Sequence, residues 1–460
     1  MPTNETRSLH VGFVSPAPVL TEETLSGMPW RMLEELRGRF DRVTVLCGKE
    51  GTPLGKRALR VVPAAMVPFT KGSRSWARGV ARRCAEVVGD SMPGYREGRM
   101  VRRAGRASAA LGRAAEAAGV DVLVGCCISS QLYGLRTRVP VVYFSDATAR
   151  LITGTYPRAA RRGASYKRGC DTLERGALAG CARAVFASAA AARSAVEDYG
   201  VEASRVLVVP MGAHVVPDGD VVPRAVARGV ARLCIVASDP ERKRLDIAIG
   251  AAEELVRRGW CVTLTHIGPM TALARRSGVL VCTGRLRLSN APERAVHERV
   301  LGESHLMLLP SAGEAFGIAP CEAAHFACPS IVSDAGGLAT VVEDGVTGVV
   351  LPVAAGAREY ADAVERVLGD PEGYARMARA ARRRAAEVLS WQRWGDAMAE
   401  IIRDAAGGRK AEVVVRHGVP VPRPAGMRYA GAHGNAPVDS AGGGDVGGGT
   451  ARAGTGGRAD

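Results

Sequence analysis

Aromatic residues make up only 5% of this 460-residue sequence, and they are scarcest where positive charge is dense. Between Lys71 and Arg113, a stretch that includes Arg82, Arg83, Arg99, Arg102, Arg103 and Arg106, only Trp76 and Tyr95 occur. Nucleic-acid bases stack on aromatic rings, so a basic stretch this poor in rings argues against a nucleic-acid partner. No run of some eighteen apolar residues exists, so no spanning helix is expected. The first residues, Met1–Arg7, lack the apolar core of a signal peptide. The 11 cysteines contain no C-x2-C pair, which removes the usual zinc pattern. Cys47, Cys234, Cys261 and Cys282 sit in apolar contexts and read as small buried hydrophobes. An odd, scattered set of thiols suits a reducing cytoplasm.

What the sequence does have is charge of one sign and apolar content of 47%. Arginine, alanine and glycine are all abundant, so part of the net charge of +16 is compositional. The basic stretch reads as a solvated helix face, with peripheral contact to an anionic membrane surface or binding of the acceptor as the alternatives. A chain this long exceeds one ordinary core. Continuous apolar runs such as Asp121–Gly125, Pro140–Phe144, Leu233–Ala237 and Leu306–Leu309 alternate with helical patterns. That alternation predicts two doubly wound parallel α/β domains facing a central cleft. The predicted divisions are 1–210, 211–387, a crossover helix at 388–404 and a tail at 405–460. Met211–Val230, with its Pro and Gly, is the expected linker. Arg376–Ile402 reads as one helix. The Gly/Ala/Pro-rich tail buries too little apolar surface to order itself.

The chemistry concentrates in Leu308-Leu-Pro-Ser-Ala-Gly-Glu-Ala-Phe-Gly-Ile-Ala-Pro-Cys-Glu322. Here a strand, a Gly-containing loop and a helix start create an anion site, because the first helical N–H groups have no internal partner. Two acids, Glu314 and Glu322, flank it. Acids beside a phosphate site make sense if they accept hydrogen bonds from hydroxyls, and a nucleotide-sugar supplies both groups. Asp239-Pro-Glu-Arg-Lys-Arg-Leu-Asp246 follows another strand and brings Arg242, Lys243 and Arg244 to its carboxyl end. Cations there would stabilise a departing diphosphate.

These segments resemble the family 4 retaining glycosyltransferases, which have the GT-B fold. Ser333-Asp-Ala-Gly-Gly337 and Val342-Glu-Asp-Gly-Val-Thr-Gly348 continue the resemblance. It implies that Glu322 holds ribose hydroxyls and Glu314 a donor-sugar hydroxyl, while the backbone at Phe316, Gly317 and Ile318 meets the diphosphate. Lys243 would be the family's basic residue. Many members carry Arg where this chain has Ser238, and Arg242 is the candidate to replace that charge. Ser26-Gly27 resembles a loop lining the reaction centre; as a bare sequence it is equally a turn. In Ser145-Asp-Ala-Thr148, Asp146 either accepts the acceptor's proton or caps the next segment. Gly212 falls in an inter-domain loop that touches donor or acceptor in such proteins. His214 beside it reads as an ordinary loop histidine, and Thr283-Gly284 as a neighbour of the base.

The implied activity is transfer of a sugar from a nucleotide-diphosphate-sugar to a hydroxyl on a carbohydrate, lipid-linked or metabolite acceptor. No cofactor and no metal are required by it. An epimerase-like GT-B enzyme and a non-catalytic nucleotide-sugar or polyanion binder are the alternatives.

Overall fold

The computed structural model describes residues 8–16, 27–46 and 95–407. Ser26, Cys47, the basic residues from Lys71 to Arg83 and the tail beyond Gly407 lie outside them. Two six-stranded sheets, each wholly parallel, carry the chain. The first holds β1 (His10–Val14), β2 (Arg42–Val45), β3 (Val122–Cys126), β4 (Val141–Ser145), β5 (Arg183–Phe186) and β6 (Val206–Val208), in the order β2-β1-β3-β4-β5-β6. The second holds β7 (Val230–Val236), β8 (Cys261–Ile267), β9 (Leu280–Gly284), β10 (Leu306–Leu309), β11 (Ser330–Ser333) and β12 (Gly348–Leu351), in the order β12-β11-β10-β7-β8-β9. Every residue of β3, β4, β5, β10 and β11 is buried, as continuous apolar runs covered on both faces require. The strand order reverses beside β1 in the first sheet and beside β7 in the second. Crevices open at such switch points, outside the carboxyl ends of the strands.

The stretch expected as one helix from Arg376 to Ile402 is two, Pro371–Glu387 and Trp391–Ala406. Ser390 breaks it. Its backbone is extended (φ −125°, ψ 147°) and its hydroxyl accepts the Arg393 N–H, an N-cap that starts a new helix. The second helix crosses onto the first sheet's side. Trp394, fully buried, meets Phe144 edge to face at 5.4 Å, and Asp396 pairs with Arg39 at 2.7 Å. Truncating a buried Trp of this kind costs roughly 3–5 kcal/mol. Gly212 is explained by the same crossing. A Cβ there would lie 2.2 Å from the Trp391 nitrogen, so this glycine packs on the crossover helix rather than reaching into the cleft.

One smaller expectation is also corrected. Cys261 is exposed, because it opens β8 at the sheet's solvent rim. The second half of the basic stretch lies on a helix, Tyr95–Ala118. Along it Ala104, Ala107, Leu111 and Ala115 turn inward, while Arg99, Arg102, Arg103 and Arg106 face solvent. Among the described residues no helix is long and apolar enough to cross a membrane.

Candidate active site

The strand ends of both sheets line one cleft of about 610 Å³. Lys243, Arg242, Glu314 and Glu322 all reach it, as do Phe316, Gly317 and Ile318. Gly27, at the start of helix Met28–Arg37, and Asp146, after β4, line the opposite wall. These expected site residues therefore share one surface, whereas Gly212, Arg244, Thr283 and Gly284 do not line it and Ser26 is not described.

The basic corner is built by a strained turn. Between β7 and the helix Leu245–Arg257, Arg244 adopts left-handed geometry (φ 50°), which costs about 1 kcal/mol for a side chain with a Cβ. Its guanidinium is anchored on the Val353 carbonyl at 2.5 Å. The turn aims Arg242 and Lys243 at Glu314. Oε2 of Glu314 accepts from Arg242 Nη1 at 2.8 Å, Lys243 Nζ lies 3.2 Å away, and the Ser311 hydroxyl donates at 3.1 Å. All three charged side chains are nearly sealed from solvent. Burial alone would raise the Glu314 carboxyl; Lys243 and Arg242 overcome it and hold the group below its ordinary range. Burial also pulls the Lys243 ammonium below its usual value, against the pull of Glu314. Arg242 lies over the Tyr156 ring at 4.8 Å and donates to the Gly313 carbonyl at 2.7 Å. The bonds of its guanidinium to Gly313 and Glu314 thus both use Nη1.

The loop carrying Glu314 is held by close backbone contacts. Gly336 has φ 56°, and a Cβ on it would stand 1.7 Å from the Glu314 carbonyl oxygen. Gly337 donates its N–H to that same oxygen. The Gly-Gly pair is needed because no side chain fits between these two backbones. Gly317, at φ 112°, forms the N-cap of helix Ile318–His325, whose first N–H groups face the cleft without a side-chain cap.

Glu322 stands just past the middle of that helix, with 4% of its side chain exposed. One carboxyl oxygen meets His297 Nε2 at 3.1 Å; the other, Oε1, is buried with no hydrogen-bond partner among the described residues. A buried carboxylate oxygen left unpaired costs on the order of 1–3 kcal/mol or more, so such an atom marks where a donor belongs. His297 comes from the helix Ala291–Glu303 and was not singled out in the sequence, where nothing distinguishes it from any helical histidine.

On the opposite wall, Thr148 is the cap of helix Ala149–Thr155, its hydroxyl accepting the Leu151 N–H. The cap of that helix is therefore Thr148, and Asp146 lines the cleft. Burial raises the Asp146 carboxyl to about 6, and Cys127 Sγ lies 3.9 Å from its Oδ1. His214 lines the same wall with Nε2 unpartnered, and burial lowers it to about 4. It tilts against Trp391 at 5.6 Å. Tyr156 joins the walls: its hydroxyl accepts the Ala315 N–H at 3.0 Å. Thr283 bonds back to the His266 carbonyl, while the next residue but one, Arg285, reaches the cleft.

The family description "Glycosyl transferases group 1" matches residues 288–384, the segment holding both acids and the paired glycines. Those residues belong to the glycosyl transferases group 1 family. Outside that group 1 segment the likeness continues. A D-inositol 3-phosphate glycosyltransferase of Nocardia farcinica is 30% identical over 288 residues, covering 58% of this chain and 61% of the relative. An alpha-D-kanosaminyltransferase of Streptomyces kanamyceticus is 33% identical over 165 residues, covering 35% of this chain and 42% of the relative. The chain thus spans less than two thirds of either relative. Among solved structures, a glycosyltransferase from Rickettsia africae superposes with a TM-score of 0.54 at 12% identity, over 87% of this chain and all of that one. The Anabaena protein HepE, solved with UDP, gives 0.53 at 14% identity, over 86% of this chain and all of that one. The fold is GT-B.

Proposed function

We propose that this protein is a retaining glycosyltransferase that moves a sugar from a nucleotide-diphosphate-sugar to a hydroxyl acceptor. The observation that carries the reading is Glu322. It presents one unpaired, buried carboxyl oxygen at the wall of a cleft whose other features are two cations and an uncapped helix start. Ribose hydroxyls would satisfy that oxygen, with His297 fixing the other. The diphosphate would lie between Lys243 and the N–H groups after Gly317, where charge developing on the leaving group is met by fixed charges and dipoles. In this reading residues 211–387 hold the donor, residues 1–210 the acceptor, and 388–404 tie the two.

Glu314 makes a poor nucleophile, since two cations neutralise it. That favours a same-face displacement, in which the leaving phosphate helps to activate the incoming hydroxyl. Asp146, raised to about 6, is suited to take up or orient the acceptor's proton near neutral pH. One relative's name gives an acceptor and the other's a transferred sugar, so the acceptor here is left at the level of a hydroxyl compound.

The test is a thermal-shift screen against UDP, GDP, ADP and their sugars, followed by product analysis with the donor that binds. Ligand at about a hundred times Kd should add about 2.7 kcal/mol of stability. Transfer of label to an acceptor with the anomeric configuration kept supports the reading. Free epimer or free nucleotide without transfer refutes it.

A further inference from the structure

We propose that Arg285 completes the diphosphate site, reaching across the sheet from the end of β9 to the position beside Ser238. This rests on the donor assignment above and deepens it.

The argument begins with charge. Arg242 and Lys243 share one carboxylate, Glu314, so together they offer a net of one positive charge. A nucleoside diphosphate carries two to three negative charges, so the basic corner alone falls short. The cleft has other arginines. Arg287 is paired with Glu293 at 2.5 Å, and Arg294 with Glu298 at 2.9 Å. Among the described residues no carboxylate pairs with Arg31 or Arg285. Arg31 lies on the opposite lobe and stacks on Trp30 at 4.7 Å. Arg285 is therefore the uncommitted cation on the donor side.

Its reach has a structural cause. Gly284 takes φ 84° and its carbonyl accepts the Gly268 N–H at 3.0 Å, which turns the chain at the end of β9 back over β8. Gly268 lies in between, and a Cβ there would stand 2.3 Å from the Ala237 carbonyl oxygen. With no side chain in the way, Arg285 Nη2 passes over β8 to the Ser238 carbonyl at 3.2 Å. Ser238 ends β7, the strand that leads into Arg242 and Lys243, so the guanidinium sits on the same rim as the paired cations. Its single neutral contact and its exposure leave further N–H groups available to phosphate oxygens, which a guanidinium can meet two at a time.

The experiment is calorimetric titration of UDP, GDP and ADP, and of the matching nucleosides, into wild type, R285Q and R285K. R285Q should bind the preferred diphosphate about ten- to hundredfold more weakly, the range for a lost hydrogen bond to a charged group. R285K, which keeps the charge and loses the paired N–H groups, should fall between wild type and R285Q, and nucleoside affinity should not change. If R285Q binds the diphosphate like wild type, the role of Arg285 is overturned while the donor assignment stands. If R285K is as weak as R285Q, the positive charge is not what acts, and the proposal is again overturned. A wild-type protein that binds none of the three diphosphates overturns the donor assignment and this inference with it.

Discussion

On one wall of the cleft a buried carboxylate is paired with two cations; on the other a carboxylate pairs with none among the described residues. Glu314 is held ionised by Lys243 and Arg242, below its ordinary range. Asp146, at the end of β4, is pushed up to about 6 by burial and feels Glu314 as a further repulsion. Both sit at strand ends of parallel sheets, so topology does not separate them. What separates them is the cations. The turn after β7, with its left-handed arginine, aims two of them at Glu314, whereas Asp146 meets backbone N–H groups of its own turn and the Cys127 thiol. Under the proposed function, one wall receives charge and the other a proton.

The comparison breaks most visibly at Lys243. Lys243→Ala removes one of two cations from a buried acid and from the proposed leaving-group site. Activity should fall about 10³-fold, the scale for deleting a preorganised charge-stabilising group. The check is kcat/KM with the identified donor, on a variant whose circular dichroism matches wild type. A fall smaller than tenfold would mean the cation is not at the reacting charge.

Asp146→Asn tests the other wall, with an expected loss of at least about 10²-fold. The pH dependence is the sharper readout. A base must be ionised to act, so the wild-type rate should climb as pH rises through about 6 and then level off. The Asn variant should lose that limb. An unchanged acidic limb in the variant would assign it to some other group.

Much of this was legible in the sequence, and the reason is local. Glu314, Gly317 and Glu322 lie within nine residues of one another, on a strand–loop–helix unit whose chemistry is written in order. The paired glycines at Gly336-Gly337 are needed by backbone contact with that same unit. His297, Tyr156 and Arg285 were not legible. Each acts across the fold, on Glu322, on Ala315 and at Ser238, and their neighbours in the chain carry no trace of it. The break at Ser390 was missed for a related reason. Helical period continues through it, and only the demand that Trp391 and Trp394 turn onto the first sheet makes the cap form.

A second lone acid widens the contrast between the walls. Glu174 is buried in the first lobe and accepts from the Ser129 hydroxyl at 2.6 Å and from Tyr143 at 3.4 Å, with no cation paired to it among the described residues. Burial raises it to about 7 from 4.5. The folded state therefore favours the protonated acid. The stability this contributes is fully present below about pH 4.5 and is lost as pH rises through about 7. The loss should amount to roughly 3–4 kcal/mol. Glu174→Gln keeps the shape and removes the titration. The difference in unfolding free energy, wild type minus variant, should shrink by that amount between pH 4.5 and 8.5 in urea melts. A difference independent of pH would place a cation beside Glu174.

The smallest effect is expected where the walls touch. Tyr156 accepts the Ala315 N–H, one residue after Glu314, and its ring lies under Arg242. Tyr156→Phe deletes the hydrogen bond and keeps the ring. About 1 kcal/mol of stability should go, with at most about fivefold in donor affinity. Tyr156→Ala also removes the aromatic face, which is worth roughly another 0.5–2 kcal/mol to a partly buried guanidinium. Arg242 would then be held by Gly313 and Glu314 alone. The two variants should therefore differ in donor affinity more than Phe differs from wild type. Equal behaviour of Phe and Ala would mean that the ring does nothing for Arg242, and that the walls meet through the hydroxyl alone.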